Sequence, residues 1–408
     1  MEDMKRFFTA IFSILFLTCC APGAAHGKLP QGLAKRCEET DEERHYVQHC
    51  IDAFLFDKTA LPSFTPQGSS LFWKVISGNA EIQDHTLMKK DGAQEYEPLV
   101  LSVQWNDSSL LMSNLTLLDE QVGYVISYFT GEGTDKEQLK LAYTYNGTYW
   151  FKLNHDRGIL KPSIGTKRLR DPSIVRRKDG GFTLLATQGY DTDSIYAYDS
   201  MDLVTYEKER VLKLNASRED MAMSQAQAWA PEAFYDPVLD TYIIIWSSVR
   251  DGGVFYSSSD DLSTVSFPQR LMDPGYTIID ATIARTPSGV TAIIKDEQEP
   301  MEEHSQIFRG TGISWDTVSA FSSPVYDRHQ VEGPMIQKAL EKKGWYVFVD
   351  DYTRGAYKAL YTDDLENGSL KELPDTDLMI PLEAPAHGFS LPVTWKELER
   401  LMDAFDGY

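Results

Sequence analysis

The chain has 408 residues and a formal net charge of -22, from 39 basic and 61 acidic side chains. A surface that acidic repels phosphate backbones and anionic lipid, which argues against nucleic acid and membrane surfaces as partners and leaves neutral polymers such as glycans. With 42% hydrophobic and 25% charged residues the composition is globular, and the length suits one large domain with a smaller one.

Lys5 and Arg6 precede "FFTAIFSILFLTCCA", an apolar run of about fifteen residues, the length of a signal peptide and short of a membrane span. Gly23 and Ala25 in "APGAAHG" follow at the spacing of a cleavage site. Residues 1–25 therefore read as a secretory signal, with an uncleaved anchor as the alternative, and the product as secreted and extracellular. No later apolar run is long enough to span a bilayer, so no membrane contact is expected after cleavage. Cys19 and Cys20 lie in the signal, which leaves Cys37 and Cys50. Two cysteines in an oxidising compartment predict one disulfide closing a short loop. No cysteines and histidines stand at zinc spacing. Glycosylation sequons occur at Asn106, Asn114, Asn146, Asn215 and Asn367. Together with the signal they favour a glycoprotein.

Residues 26–119 form the next region. "CEETDEERHYVQHC" is charged and suits a short helix. "SLFWKVIS", "AEIQDHTL" and "EPLVLSVQW" alternate apolar and polar residues between turn-forming Gly and Pro, the pattern of a small antiparallel β-sandwich. From residue 120 the strands become regular. "GYVISYFTG", "DPSIVRRKDGGFTLLATQ", "PEAFYDPVLDTYIIIWSSV", "DATIARTPSGVTAIIKDE" and "GPMIQKALEKKGWYVFVDDY" each open one unit of apolar strand, turn and aromatic-rich strand. Five units at a period of roughly 50 to 60 residues predict an all-β, five-bladed β-propeller over residues 120–408. A solenoid is the rival, but neither a single-strand nor a helical repeat is visible. "TWKELERLMDAF" closes the chain as a packing helix. Thr394 and Glu397 make its capping box, and Trp395, Leu398, Leu401, Met402 and Phe405 its apolar face.

Four acids stand at the heads of the first strands: Asp171 in "RDPSIV", Glu232 in "WAPEAFYD", Asp280 in "IDATI" and Glu332 in "VEGPMI". Read as one register position, they converge on one mouth of the propeller channel. Each motif alone is a common turn. The ordered set is not, because four gathered carboxylates repel one another and a fold does not ask for that. Glycoside hydrolysis does ask for paired carboxyls, one protonated at the leaving oxygen and one ionised beside water.

With "YFTGEG", "KDE" and "HGFSLPVT" added to these stretches, the chain from about 122 to 393 resembles glycoside hydrolase family 43. This is the five-bladed propeller clan of arabinofuranosidases and xylosidases. "LPSFTPQGSSLFWKVISGNAEI" is similar to the small immunoglobulin-like domain that leads one subgroup. The resemblance implies that Asp171 is the general base, Asp280 the acid that positions and tunes the pair, and Glu332 the general acid. It further implies substrate contacts from Trp229, Glu232, Lys295 and His387. Trp229 could equally be blade core, and His387 equally a structural histidine or the support of an axial cation or water. Glu232 replaces the aspartate of the family's usual "WAPD", which opens the choice of sugar. Negative charge from Asp280 favours the protonated form of Glu332, and an inverting geometry needs the working carboxyls about 6.5 to 9.5 Å apart.

The expected activity is that of an inverting, exo-acting α-L-arabinofuranosidase on oligosaccharide or polysaccharide. The alternatives are a β-D-xylosidase, an exo-β-galactosidase, or a propeller that binds glycans without cleaving them. No cofactor is required, though a structural calcium or other cation on the axis is compatible with the resemblance. A monomer is expected.

Overall fold

The computed structural model describes residues 42–133, 135–214 and 227–405. The chain divides into two compact units, 1–42 and 43–408, and the description below concerns the second. The signal, Cys37 and Asn215 lie outside the described residues.

Residues 43–49 are helical, as the charged stretch suggests. Two small sheets follow. One has four strands, with Phe54–Phe56 parallel to Ser108–Leu118, which pairs with Glu97–Trp105 and that with Phe72–Ser77. The other joins Thr59–Ala60, Thr86–Lys89 and Ala80–Gln83. Alternation in Glu97–Trp105 sends Leu99, Leu101, Val103 and Trp105 inward onto Leu87, Leu55 and Tyr46. Cys50 belongs to this core as a free thiol. The disulfide expected with Cys37 is therefore not formed in this structure. Cys50 packs as a small apolar residue, its Sγ giving a hydrogen bond to the Val47 carbonyl, and burial pushes the thiol up to about 12.

Five four-stranded antiparallel sheets follow, four of them simple meanders. Their innermost strands are Arg170–Arg176, Trp229–Asp236, Ile278–Thr286, Glu332–Lys338 and Ala386–Thr394. Each of these strands touches the next, and Ala386–Thr394 touches Arg170–Arg176, which closes the ring of a five-bladed propeller. The blade that begins the repeat differs from the sequence reading. Gln121–Phe129 is its second strand, and the innermost place is taken by Ala386–Thr394 from the end of the chain. The closure joins both ends of the propeller in one sheet, which a local repeat pattern does not reveal.

The helix Trp395–Phe405 packs Leu398 and Leu401 against the closing blade, with Met402 and Phe405 at their edge. Trp395 does not share that face and is 48% exposed. Glu397 is buried instead. Its carboxylate accepts from the Thr394 backbone N–H, as the capping box predicts, and pairs with Arg176, which also donates to the Pro392 carbonyl. Tyr96 of the small sheets donates to the same carboxylate. One buried ion pair thus ties the small sheets, the closing strand and the helix to the blade that carries Asp171.

Of the sequons, Asn367 is exposed, while Asn114 donates its amide to the Pro237 carbonyl and Asn106 to Ser69. Asn146 caps a turn by accepting from the backbone N–H groups of Thr148 and Tyr149.

Candidate active site

All five innermost strands break register at the same level, between Arg170 and Ser173, Trp229 and Glu232, Ile279 and Thr282, Glu332 and Met335, and Ala386 and Phe389. A bulge there turns side chains toward the axis. The central bulge residues are Asp171, Ala230, Asp280, Gly333 and His387. The first four have positive φ, at 46°, 46°, 55° and 54°. For the three that carry a side chain, this left-handed backbone costs on the order of 1 to 3 kcal/mol each and persists only where the surroundings enforce it. Three of the four positive-φ bulge residues are held from the neighbouring blades. The Ala230 N–H donates to Thr187 Oγ1 at 2.8 Å, the Asp280 N–H to Ser247 Oγ at 3.2 Å, and the Gly333 N–H to Asp280 Oδ2 at 3.0 Å.

This register corrects the sequence reading of the acids. Asp171 and Asp280 do share one position. Glu332 stands one residue before it, level with Arg170 and Trp229, and Glu232 stands beyond it, level with Ser173 and Thr282. The reason is physical. A bulge inserts extra residues without changing the apolar pattern on either side, so motifs aligned by their strands slip at the bulge.

The fifth member of the ring, His387, sits with Nδ1 3.7 Å from Asp280 Oδ1 and 3.9 Å from Asp171 Oδ1. Its ring packs against Gly333, where a Cβ would come within 2.7 Å of the imidazole. That contact and the positive φ are why a glycine follows Glu332. Burial raises Asp280 above the usual carboxylate range; His387 works against this, and the charge of Glu332 adds to it. Lys295, 2% exposed, donates to Glu332 Oε2 at 3.1 Å and also pairs with Glu297. Burial pushes Glu232 up to about 8, against a hydrogen bond with Thr282.

The mouth has two aromatic walls. On one side Trp229 donates to the Tyr190 carbonyl at 3.0 Å and meets its ring edge-on, and Arg170 lies over Tyr190 and Phe129 at 4.6 and 4.9 Å. Trp229 is thus at the mouth and not in the blade core. On the other side Tyr352, 39% exposed, lies under the Lys295 ammonium at 5.8 Å. A sugar ring offers apolar C–H faces that such walls can hold. Tyr190, Tyr352 and Arg170 are not legible in the sequence, because turn tyrosines and a strand-end arginine carry no pattern. Asp350 is not legible either. It pairs directly across the ladder from Glu332 and is 2% exposed. Among the described residues no group of three or more His, Cys, Asp or Glu side chains is arranged to hold a metal ion.

The propeller that carries this ring is matched by a family model. The model, described as "Probable glycosyl hydrolase domain" and related to family 43, covers residues 119–399. The chain belongs to this glycosyl hydrolase 43-related family. An α-L-arabinofuranosidase of Bifidobacterium longum subsp. longum is 23% identical over 222 residues, 45% of this chain and 20% of that protein. The chain thus spans about a fifth of the length of that curated relative. Among solved structures, a family-43 β-1,3-galactosidase with galactodeoxynojirimycin aligns at TM-score 0.48 and 11% identity, over 63% of this chain and 92% of that one. An α-L-arabinofuranosidase of Lactobacillus brevis aligns at TM-score 0.38 and 14% identity, over 50% and 72%. In this family 43-related chain, the three acids singled out by the resemblance are linked around the axis. His387 lies between Asp171 and Asp280, and Asp280 holds the backbone N–H of the residue beside Glu332.

Proposed function

We propose that this chain is a secreted glycosidase that removes terminal α-L-arabinofuranosyl residues from a glycan with inversion of configuration. The observation that carries the reading is the pair of strained axial aspartates, Asp171 and Asp280, gathered about His387 with Glu332 one residue from their ring. Ala230 has the same left-handed backbone without an acid, so the bulge belongs to the fold, and two carboxyls placed on such bulges about one histidine suit a reacting centre.

Asp171 takes a proton from water as that water attacks the anomeric carbon. Glu332 gives a proton to the departing oxygen as the glycosidic bond breaks. Asp280 does not touch the departing group. Its Oδ2 fixes the Gly333 N–H and so the backbone that presents Glu332. Trp229 and Tyr190 hold one face of the sugar and Tyr352 the other side of the mouth. The longer carboxyl at Glu232 shapes the sugar pocket, and a β-xylosyl or β-galactosyl group is the competing occupant. Secretion follows from the leader over residues 1–25, and a mature protein beginning near residue 26 is its test.

The activity is tested with a panel of nitrophenyl glycosides, followed by arabinan, arabinogalactan and xylan. Release from the α-L-arabinofuranoside first is the expected result, and NMR of the first-formed anomer reports inversion. A soluble, folded protein that binds these glycans and releases nothing would replace the enzyme with a lectin-like propeller.

A further inference from the structure

Behind Glu332 a row of ionisable groups crosses the blade. Glu332 pairs directly with Asp350 in the ladder, and Asp350 pairs directly with Tyr357 on the next strand. Residues opposite one another point to the same face, with Cβ atoms about 4.5 to 5.5 Å apart. Asp350 is 2% exposed, and its carboxyl accepts the backbone N–H of His387. Its Oδ1 has no hydrogen-bond partner. Tyr357 does not satisfy that oxygen, because its hydroxyl donates to the Ala386 carbonyl at 2.5 Å. The charged groups acting on Asp350 are Glu332, Asp280 and the adjacent Asp351. Asp351 is occupied by Arg328, and the Lys295 ammonium lies on the Glu332 side of the row.

Asp350 is dry while the Glu332 side chain is 30% exposed, but two carboxyls that face each other with one of them enclosed cannot both ionise cheaply, and one proton is retained between them. We propose that Asp350 is a positioning residue that shares one proton with Glu332, so that the acid beside the departing oxygen is loaded at neutral pH. This rests on the glycosidase reading above. Burial, reinforced by the charge of Glu332, raises Asp350 well above the usual carboxylate range, in keeping with the geometry.

In turnover the O–H bond of the pair breaks as the glycosidic C–O bond breaks, and the proton forms the new O–H of the departing alcohol. The pair is left with two negative charges, which Lys295 stabilises. It recovers one proton from solvent water when the products leave. Meanwhile the other Asp350 oxygen keeps the His387 backbone, and so the imidazole, between Asp171 and Asp280.

Asp350→Asn tests this. The amide keeps the shape and the acceptor for the His387 N–H but removes the second carboxyl. On a glycan or an unactivated alkyl glycoside, the alkaline limb of kcat/KM should move down by about one pH unit, a roughly 10-fold loss in rate above the limb. The loss on an activated aryl glycoside should be smaller. Infrared spectra at neutral pH should show one protonated-carboxyl band in the native protein beyond that of Glu232, a band that Asp350→Asn removes and Glu332→Gln shifts. An alkaline limb that stays in place, an Asp350→Asn spectrum that loses no protonated carboxyl relative to the native protein, or a band that Glu332→Gln leaves unmoved would overturn the shared proton. A native protein inactive on every glycoside, yet with that band lost in Asp350→Asn and shifted in Glu332→Gln, would sink the glycosidase reading and leave the shared proton standing.

Discussion

Lys295 donates to Glu332 across 3.1 Å and is almost fully enclosed while doing so. Burial works against its charge, but Glu332, Glu297 and Asp280 outweigh burial and hold the ammonium above its ordinary value. The lysine is the positive centre of an otherwise acidic wall. Lys295→Met should therefore leave buried carboxyls uncompensated, at about 3 to 5 kcal/mol of stability. The expected outcome is a lowered Tm together with a roughly 100-fold fall in catalytic efficiency, because Glu332 is displaced. A stable, active Lys295→Met protein would show that the ion pair is peripheral.

Gly333→Ala should damage the site through geometry alone. The added methyl carbon would meet the His387 ring at 2.7 Å, in a backbone with φ of +54°. No charged group is removed. The backbone strain is on the order of 1 to 3 kcal/mol. The His387 ring must move away from Asp171 and Asp280 in addition. Calorimetry should show a modest loss of stability. Kinetics should show a larger change in kcat than in KM, since the ground-state walls at Trp229 and Tyr352 are left in place.

Glu232 gives a pH dependence with a definite sign. Unfolded, its carboxyl ionises near the ordinary value of 4.5, and folded it ionises near 8. Between these values the folded chain holds the proton more tightly than the unfolded chain. Its contribution is therefore present at low pH and is lost as pH rises through the window from 4.5 to 8. The slope is at most about 1.4 kcal/mol per pH unit for one group. Glu232→Gln removes the ionisation. The stability of the Gln variant relative to the native protein should rise from acid to neutral pH and level off above about pH 8. A difference flat in pH would mean that Glu232 is solvated.

The parts legible in the sequence are those that repeat locally. Alternating strands such as Glu97–Trp105 announce the small sheets, and five apolar openings announce the blades. Asp171 and Asp280 read correctly as one register position because their flanks match on both sides of the bulge. Glu332 and Glu232 are displaced from it by a residue or two, and the bulge hides its own offset. The closing strand Ala386–Thr394 is not legible as the innermost strand of the opening blade, since its partner Gln121–Phe129 lies at the far end of the propeller sequence. Asp350 is hidden for another reason. It ends the apolar run "WYVFVDDY", where an acid reads as the solvent-exposed end of a strand, and only the ladder places it opposite Glu332. Trp395 fails differently, because a helical wheel ranks faces without knowing how far the core extends toward the first turn.

The decisive prediction concerns Glu332. If it is the general acid, the cost of losing it depends on how much the departing group needs a proton. General acid catalysis is worth about 10²- to 10⁴-fold, or roughly 3 to 5 kcal/mol. A sugar alcohol leaving a natural glycan needs that proton, and dinitrophenolate, a far weaker base, barely does. Glu332→Ala should therefore lose most activity on the oligosaccharide and keep much of it on the dinitrophenyl glycoside. Asp171→Ala should fail on both substrates, because water must be activated whatever leaves. Added azide should restore part of that loss, since it needs no base. If Glu332 served only to shape the turn ahead of Glu332–Lys338, its removal would instead cost both substrates equally and lower the Tm. Equal losses in a well-folded Glu332→Ala protein would take the acid's role away from Glu332, and Glu232, a carboxyl beside the bulge ring that burial pushes up to about 8, would be the next to test.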